Sequence, residues 1–118
     1  MRRKESGMQE SEIELTTSDG AMNSWLFRPD SGPNPAVLLF MDAPGIREEL
    51  KDMARIICRA GDAVLLPNLY FRTDRRVDFS PERFAALGEP LRQEMLEKVR
   101  SLTFPMVLRD TAAMLDYT

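Results

Sequence analysis

The first part of the chain contains two segments in which apolar and polar residues alternate. Ile13 and Leu15 alternate with polar neighbours in the first segment, and Trp25 and Phe27 lie on one side of the second. Alternation with a period of two is typical of strands that bury one face. The residues Ser-Asp-Gly at 18–20 supply a turn between the segments. The stretch SEIELTTSDGAMNSWLFRP therefore predicts a β-hairpin.

Two short runs farther along are apolar without alternation: AVLLF at Ala36–Phe40 and AVLLP at Ala63–Pro67. Such runs are typical of strands that are covered on both faces, as in a parallel or mixed sheet beneath helices. Four apolar residues between the runs recur at helical spacing: Leu50, Met53, Ala54 and Ile57. Gly61 is placed to end that helix. The order strand, helix, strand predicts a βαβ unit with a right-handed crossover.

Two helical patterns end the chain, after a polar and aromatic segment over residues 68–90. The apolar positions of the first pattern are Leu91, Met95, Leu96, Val99 and Leu102, and those of the second are Val107, Leu108, Thr111, Met114 and Leu115. No strand pattern follows the second helix, although a crossover helix normally returns the chain to the sheet. We therefore expect the chain to be cut after Thr118.

Composition excludes several classes of protein. An apolar fraction of 43% and a charged fraction of 30% are ordinary for a soluble globular domain. The net charge of -3 gives no reason to expect nucleic acid or an anionic membrane as a partner. No apolar run approaches the roughly 20 residues of a membrane span. The start, MRRKESGMQESE, lacks the apolar stretch of a secretory signal. We expect it to form a disordered tail over residues 1–10, followed by one domain over residues 11–118.

The residues that the chain lacks are equally informative. It has no histidine, so a Ser-His or Cys-His catalytic pair cannot form within this chain alone, and a histidine-ligated metal site is excluded. The single cysteine, Cys58, excludes an internal disulfide and fits a reducing cytosol, so we expect a cytoplasmic protein. Cys58 lies in the predicted helix at the margin of its apolar stripe, which favours packing over a nucleophilic role.

Two stretches carry a resemblance to a known family. PAVLLFMDAPGIREELKDMARIICRAGDAVLLPNLYFR at 35–72 and LRDTAAMLDYT at 108–118 resemble the first half of the dienelactone hydrolase family, in the α/β-hydrolase superfamily. The resemblance implies an α/β fold of which this chain holds part: the hairpin, the βαβ unit and the C-terminal helices. The strand that carries the nucleophile and everything after it are missing, and no G-x-[CS]-x-G elbow occurs in the sequence.

The resemblance also suggests site residues. Asp42 takes the place of a family glutamate that contacts the resting nucleophile and tunes its protonation, and it is one methylene shorter. The backbone N–H of Ala43 matches a donor of the family's oxyanion hole. Tyr70 and Arg72 match a loop at the rim of the family's cleft, so they are candidates for substrate binding.

Each candidate residue has a structural alternative. Asp42 alternatively caps the turn and the start of the helix through its carboxylate. Arg72 alternatively forms a local salt bridge, and Tyr70 packs beneath its loop.

Two functions remain open at this stage. The first is the hydrolysis of a small-molecule ester or lactone by covalent acyl transfer, with no cofactor and no metal, and with no turnover expected from this truncated chain alone. The alternative is a non-catalytic half-domain that self-associates or binds a protein partner. Its basis is that the sheet would end at an unpaired apolar strand, and such an edge recruits other chains.

Overall fold

The computed structural model describes residues 2–5 and 7–118. Its strands are β1 (Arg2–Glu5), β2 (Met8–Thr17), β3 (Gly20–Pro29), β4 (Ala36–Leu38) and β5 (Ala63–Pro67). Its helices are α1 (Glu48–Arg59), α2 (Pro81–Leu87), α3 (Glu89–Ser101) and α4 (Phe104–Tyr117). The described residues form one five-stranded sheet in the order β1-β2-β3-β5-β4. Among the described strands, only the β4–β5 pair is parallel.

The predicted hairpin is confirmed. β2 and β3 pair in antiparallel register from Met8 opposite Pro29 to Thr17 opposite Gly20. The Thr17 hydroxyl donates to the carbonyl of Gly20 at 2.7 Å and accepts from the backbone N–H of Asp19 at 3.1 Å. The turn is therefore closed by its own side chains, as its polar composition predicts.

The structure corrects the disordered tail predicted for residues 1–10. β2 begins at Met8, whose side chain is fully buried in the same cluster as Phe27. The backbone of Arg2–Glu5 pairs with the start of β2 as β1. Residues 1 and 6 lie outside the described residues. Composition did not reveal this extension because Met8 is an isolated apolar residue among polar ones.

The βαβ unit is also confirmed, with β4 parallel to β5 and α1 between them. β4 is shorter than the predicted Ala36–Phe40. In α1, Leu50 and Ala54 are buried as predicted, whereas Met53 is half exposed. Cys58 is buried in the core, in agreement with a packing role.

A charged residue also faces inward from α1. The Arg55 guanidinium donates to both carboxylate oxygens of Glu10 on β2, at 2.7 and 3.0 Å, and both side chains are buried. Apolar periodicity does not reveal such a pair, because it counts both residues as polar.

The two faces of the sheet bury separate apolar clusters. The cluster beneath α1 contains Met8, Phe27, Leu50, Ala54, Cys58, Val64 and Leu66. The cluster on the opposite face contains Leu15, Met22, Leu65, Leu69 and Met114. Alternate residues of β5 thus enter different clusters, so this strand is covered on both faces, as its uniform apolar sequence predicts.

The two helices predicted at the end of the chain are present as α3 and α4. Leu91 of α3 and Met114 of α4 are fully buried. Leu108 and Leu115, which the pattern assigned to the inward face of α4, are instead more than half exposed. Part of the apolar surface of α4 is therefore not covered by the described residues.

Candidate active site

The candidate site lies at the carboxyl ends of β4 and β5. Residues Asp42–Gly45 form a tight turn, in which the backbone N–H of Gly45 donates to the Asp42 carbonyl at 2.9 Å. Gly45 has a φ of +82°, and an added Cβ would lie 2.6 Å from Cγ2 of Val77. Both observations explain why glycine occupies this position, since other residues rarely adopt such a φ.

Tyr70 joins this turn to the end of β5. Its hydroxyl donates a 2.7 Å hydrogen bond to the carbonyl oxygen of Ala43, and its side chain is buried. Burial raises the pKa of the Tyr70 hydroxyl, and the negative charge of Asp42 raises it further. The hydroxyl therefore stays protonated at neutral pH and acts as a donor. Tyr70 and Ala43, both predicted site residues, are thus brought together.

The backbone N–H of Ala43 follows the carboxyl end of a strand and precedes a helix. Within the described residues this N–H donates to no acceptor. A backbone donor in this position can bind an oxyanion if the carbonyl of a substrate lies in front of it. The geometry is consistent with the donor role that the resemblance implies for Ala43.

Asp42 is paired with an arginine that the sequence analysis did not select. Its carboxylate accepts two hydrogen bonds from the Arg47 guanidinium, at 2.5 and 3.1 Å. The Arg47 hydrogen bond holds the pKa of Asp42 below its usual value, so the carboxylate is ionised at neutral pH. The side chain of Asp42 is 57% exposed, so water and salt reach this pair.

The structure does not show the capping role considered for Asp42. α1 begins after Arg47, and no side chain forms a capping hydrogen bond there. Instead, Arg47 also donates to the carbonyl of Gly45 at 3.0 Å. Arg47 therefore connects the turn to the helix start. Its position five residues after Asp42 in GIREE was the only sequence signal for this pair.

Arg72 is not part of this group. Its guanidinium donates two hydrogen bonds to the buried Asp110 of α4, at 2.7 and 3.0 Å, and another to Asp19 of the hairpin turn at 2.9 Å. This is the local salt bridge considered as its alternative. The structure thus places Arg72 between the hairpin and α4, and its role in substrate binding stays a prediction.

Asn68 is a second residue that the sequence analysis did not select. Its side-chain amide donates to Oδ1 of Asn23 at 3.0 Å and to the carbonyl of Asp74 at 2.8 Å. Its own Oδ1 accepts from the backbone N–H of Tyr70 at 3.0 Å. Asn68 therefore fixes the start of the loop that presents Tyr70. Only its position directly after Pro67 could have suggested this role.

A cavity of about 170 Å³ lies beside the Asp42–Arg47 pair. Arg47 lines it together with Trp25, Lys51 and Arg76. The Lys51 ammonium lies 3.8 Å from the centroid of the Trp25 ring, which is a cation–π contact. Among the described residues, no group of three His, Cys, Asp or Glu side chains could hold a metal ion. The contacts of Asp42, Arg47 and Tyr70 provide hydrogen bonding and charge stabilisation at this site.

Comparison with known proteins agrees with this geometry. A family model described as the dienelactone hydrolase family matches residues 22–117. The chain belongs to the dienelactone hydrolase family. It is 26% identical over 76 residues to a candidate carboxymethylenebutenolidase from Yersinia pestis, and 30% identical over 67 residues to another from Methylorubrum extorquens. These matches span 63% and 56% of the chain but only 28% and 23% of the two relatives.

Two solved structures have the same fold. A candidate dienelactone hydrolase from Klebsiella pneumoniae superposes with a TM-score of 0.74 at 21% identity, over 93% of this chain and 43% of its own. A cold-adapted esterase from an Arctic metagenomic library superposes with a TM-score of 0.66 at 16% identity, over 98% of this chain and 47% of its own. The predicted fold class is confirmed: the chain has part of the α/β-hydrolase fold and spans less than half of these structures.

The helices are too short or too polar for a bilayer. Within the part of the chain that the structure describes, none could cross a membrane.

Proposed function

We propose that this chain forms one part of an enzyme that hydrolyses a small-molecule ester or lactone by covalent acyl transfer. The main support is the position of Ala43 near the ends of the two parallel strands, directly after Asp42. The Tyr70 hydroxyl binds the carbonyl oxygen of Ala43, and the backbone N–H of the same residue is the proposed donor. The names of the relatives, carboxymethylenebutenolidase and esterase, support a lactone or ester as substrate.

In this proposal each residue has a defined role. A nucleophile attacks the carbonyl carbon, and the negative charge that develops on the carbonyl oxygen is stabilised by the Ala43 N–H. One such donor is worth about 3 kcal/mol of transition-state stabilisation. The leaving alcohol departs with a proton, and water then hydrolyses the acyl-enzyme. Asp42 tunes the protonation of the nucleophile, and the reaction uses no cofactor.

The nucleophile and its base come from polypeptide other than these 118 residues. The sequence contains no histidine and no G-x-[CS]-x-G elbow. We therefore propose that the chain alone does not turn over an ester. p-Nitrophenyl acetate tests this part of the proposal, because release of nitrophenolate at an enzymatic rate from the purified chain would contradict it.

A covalent chimera tests the hydrolase itself. The chimera joins this chain to the part of the Klebsiella pneumoniae relative that the chain does not cover, in a single polypeptide. We expect the chimera to release nitrophenolate, and Asp42→Ala in the chimera to change the rate and its pH profile. The matched control is Glu97→Ala, an exposed acid on α3. A folded chimera without turnover would contradict the proposed hydrolase function.

A second candidate is a non-catalytic half-domain that self-associates or binds a protein partner. A specific observation favours it: within the described residues β4 pairs only with β5, so its other edge is open. Light scattering at rising concentration tests self-association, and a monomer at every concentration would count against it.

A cytoplasmic location is also part of the proposal. It is supported by the single cysteine, which is buried as a free thiol.

A further inference from the structure

A small cavity lies between β3, the start of α1 and the loop that follows β5. Its volume is about 170 Å³, and Asp42, Ala43 and Tyr70 do not line it. Pockets that hold drug-sized ligands measure about 300–1,000 Å³. The cavity is therefore large enough only for a smaller molecule.

The charged side chains that line this cavity are mostly positive. Among the described residues they are four cations and one acid: Arg47, Lys51, Arg75, Arg76 and Glu48. Three of the cations have carboxylate partners that do not line the cavity: Arg47 with Asp42, Arg75 with Glu14 and Arg76 with Glu12. These ion pairs hold the three guanidinium groups at the wall of the cavity.

The fourth cation, Lys51, has a weaker partner. Its ammonium lies 3.8 Å from the carboxylate of Glu48, which is too far for a hydrogen bond, and that carboxylate accepts a 3.0 Å hydrogen bond from Arg55 instead. No other described residue accepts a hydrogen bond from the Lys51 ammonium. The Lys51 side chain is nevertheless only 18% exposed. An ammonium has three donors, and buried donors normally have acceptors.

The position of the Lys51 ammonium is fixed by an aromatic ring. The ammonium lies 3.8 Å from the centroid of the Trp25 ring, and both residues line the cavity together with the apolar side chains of Ile46 and Val77. A ring contact stabilises the positive charge but supplies no lone pair for its N–H groups. The cavity thus combines cationic donors with an apolar wall.

We propose that this cavity binds a small organic acid. The carboxylate accepts hydrogen bonds from the Lys51 ammonium in the field of the guanidinium groups that line the cavity, and the apolar part of the acid packs against Trp25, Ile46 and Val77. We call these residues, together with Arg47 and Arg76, the Lys51 cavity. An inorganic anion would satisfy the ammonium but would leave the apolar wall uncovered, so an organic carboxylate fits better.

Hydrolysis of an ester releases a carboxylic acid, so the acid product of the proposed reaction belongs to this class of ligand. The inference itself does not rest on the hydrolase proposal, because every residue of the Lys51 cavity lies in this chain and binding requires no turnover.

A titration of the full 118-residue chain, labelled with ¹⁵N, tests the proposal. Trp25 is the single tryptophan of the chain, so its indole N–H signal reports on the cavity without a variant. Sodium benzoate should shift this signal in a saturable way, with a dissociation constant on the order of 1 mM, as expected of so small a ligand. Benzamide keeps the ring without the charge, and inorganic phosphate keeps a charge without the ring. Each should bind at least about tenfold more weakly.

Two substitutions of Lys51 and a matched control locate the site. Lys51→Gln should weaken benzoate binding at least about tenfold, because it removes the charge-assisted hydrogen bonds. Lys51→Arg keeps the charge and should retain the affinity within about threefold. Arg100→Gln is the control, since it removes one positive charge from an exposed position on α3, and it should leave the affinity unchanged. Circular dichroism checks that each variant is folded.

Several results would overturn the inference. These are the absence of a saturable shift of the Trp25 signal with benzoate, binding of benzamide or of phosphate as tight as that of benzoate, or an affinity that Lys51→Gln leaves unchanged. Failure of the hydrolase proposal has a different signature: the covalent chimera would lack turnover while the chain still bound benzoate.

Discussion

The hydroxyl of Tyr70 donates a 2.7 Å hydrogen bond to the carbonyl oxygen of Ala43, 27 residues earlier in the chain. This bond joins the loop after β5 to the turn after β4, so the ends of two parallel strands are fixed relative to each other. The proposed oxyanion donor, the N–H of Ala43, thus belongs to a residue that is held by a buried side chain rather than by its own loop alone.

Removing this hydroxyl should loosen the turn. Tyr70→Phe keeps the ring and its packing but leaves the Ala43 carbonyl without its donor, so we expect a loss of about 1–1.5 kcal/mol in the free energy of unfolding. Urea denaturation measures this loss. Tyr117→Phe removes a hydroxyl from a half-exposed tyrosine and should change stability by less than about 0.5 kcal/mol. If the two substitutions lowered the free energy of unfolding equally, the Tyr70 hydroxyl would contribute no more to stability than a half-exposed hydroxyl does.

Gly45 should tolerate no side chain. Its φ of +82° strains any other residue, and an added Cβ would meet Val77 at 2.6 Å. Gly7→Ala is a matched control, because Gly7 has a φ of +76° but open space around its Cβ position. We expect Gly7→Ala to cost about 1–2 kcal/mol from backbone strain. Gly45→Ala should cost a further 1–3 kcal/mol, roughly, from overpacking.

Thermal or urea unfolding of the two glycine variants measures the difference. If Gly45→Ala cost no more than Gly7→Ala, the turn could move away from Val77 freely, and the rigidity argued for the Asp42–Gly45 turn would be incorrect.

The buried pair between Arg55 and Glu10 should be sensitive to loss of one partner. Arg55→Ala removes the guanidinium from a buried carboxylate, and breaking a buried pair in this way typically costs about 3–5 kcal/mol. Arg92→Ala is the control, because Arg92 forms an exposed pair with Glu89 on α3, and such pairs contribute about 0–1 kcal/mol. Chemical denaturation of both variants checks the contrast.

The double variant Glu10→Gln with Arg55→Met sharpens this test. It should recover part of the loss, since neither charge then remains buried alone. The cycle needs the single variants Glu10→Gln and Arg55→Met. A double variant that loses as much stability as these two single variants together would indicate that the residues do not act as a pair.

Stability should fall in acid, and Asp74 should contribute to the fall. The Lys98 ammonium beside Asp74 holds the pKa of its carboxyl below the usual value. A carboxyl with a lowered folded-state pKa adds stability above its unfolded pKa of about 4, and this stability is lost as the pH falls through the folded-state value. We therefore expect the urea concentration at the midpoint of unfolding to be constant from about pH 7 to 5. This midpoint should decrease when the pH is lowered below about 4.

Asp74→Asn should make this decline shallower, whereas Glu97→Gln on the exposed face of α3 should not. Urea titrations at several pH values between about 3 and 7 compare the two. If the urea midpoint decreased with falling pH by the same amount in the wild type and in Asp74→Asn, the Asp74–Lys98 pair would have no role in acid sensitivity.

The position of the candidate site was partly predictable. A lone acid and a glycine after an apolar run mark a strand end with a tight turn, and the structure has that turn at Asp42–Gly45. The partners of these residues were not predictable. Arg47 and Asn68 carry no pattern of their own, and Arg72 was assigned to substrate binding although Asp110 and Asp19 bind its guanidinium. Such pairings depend on which elements lie side by side.

By itself, the sequence determined the local elements of this protein. The hairpin, the βαβ unit and the last two helices follow from the periods of apolar residues and from turn residues such as Asp19 and Gly61, because side-chain direction repeats locally in strands and helices. Only the tertiary structure decided that Glu10 pairs with Arg55, that Tyr70 contacts Ala43 and that β4 lies at an open edge. These relationships join residues far apart in the chain, and strand order and packing, rather than local periodicity, set their distances.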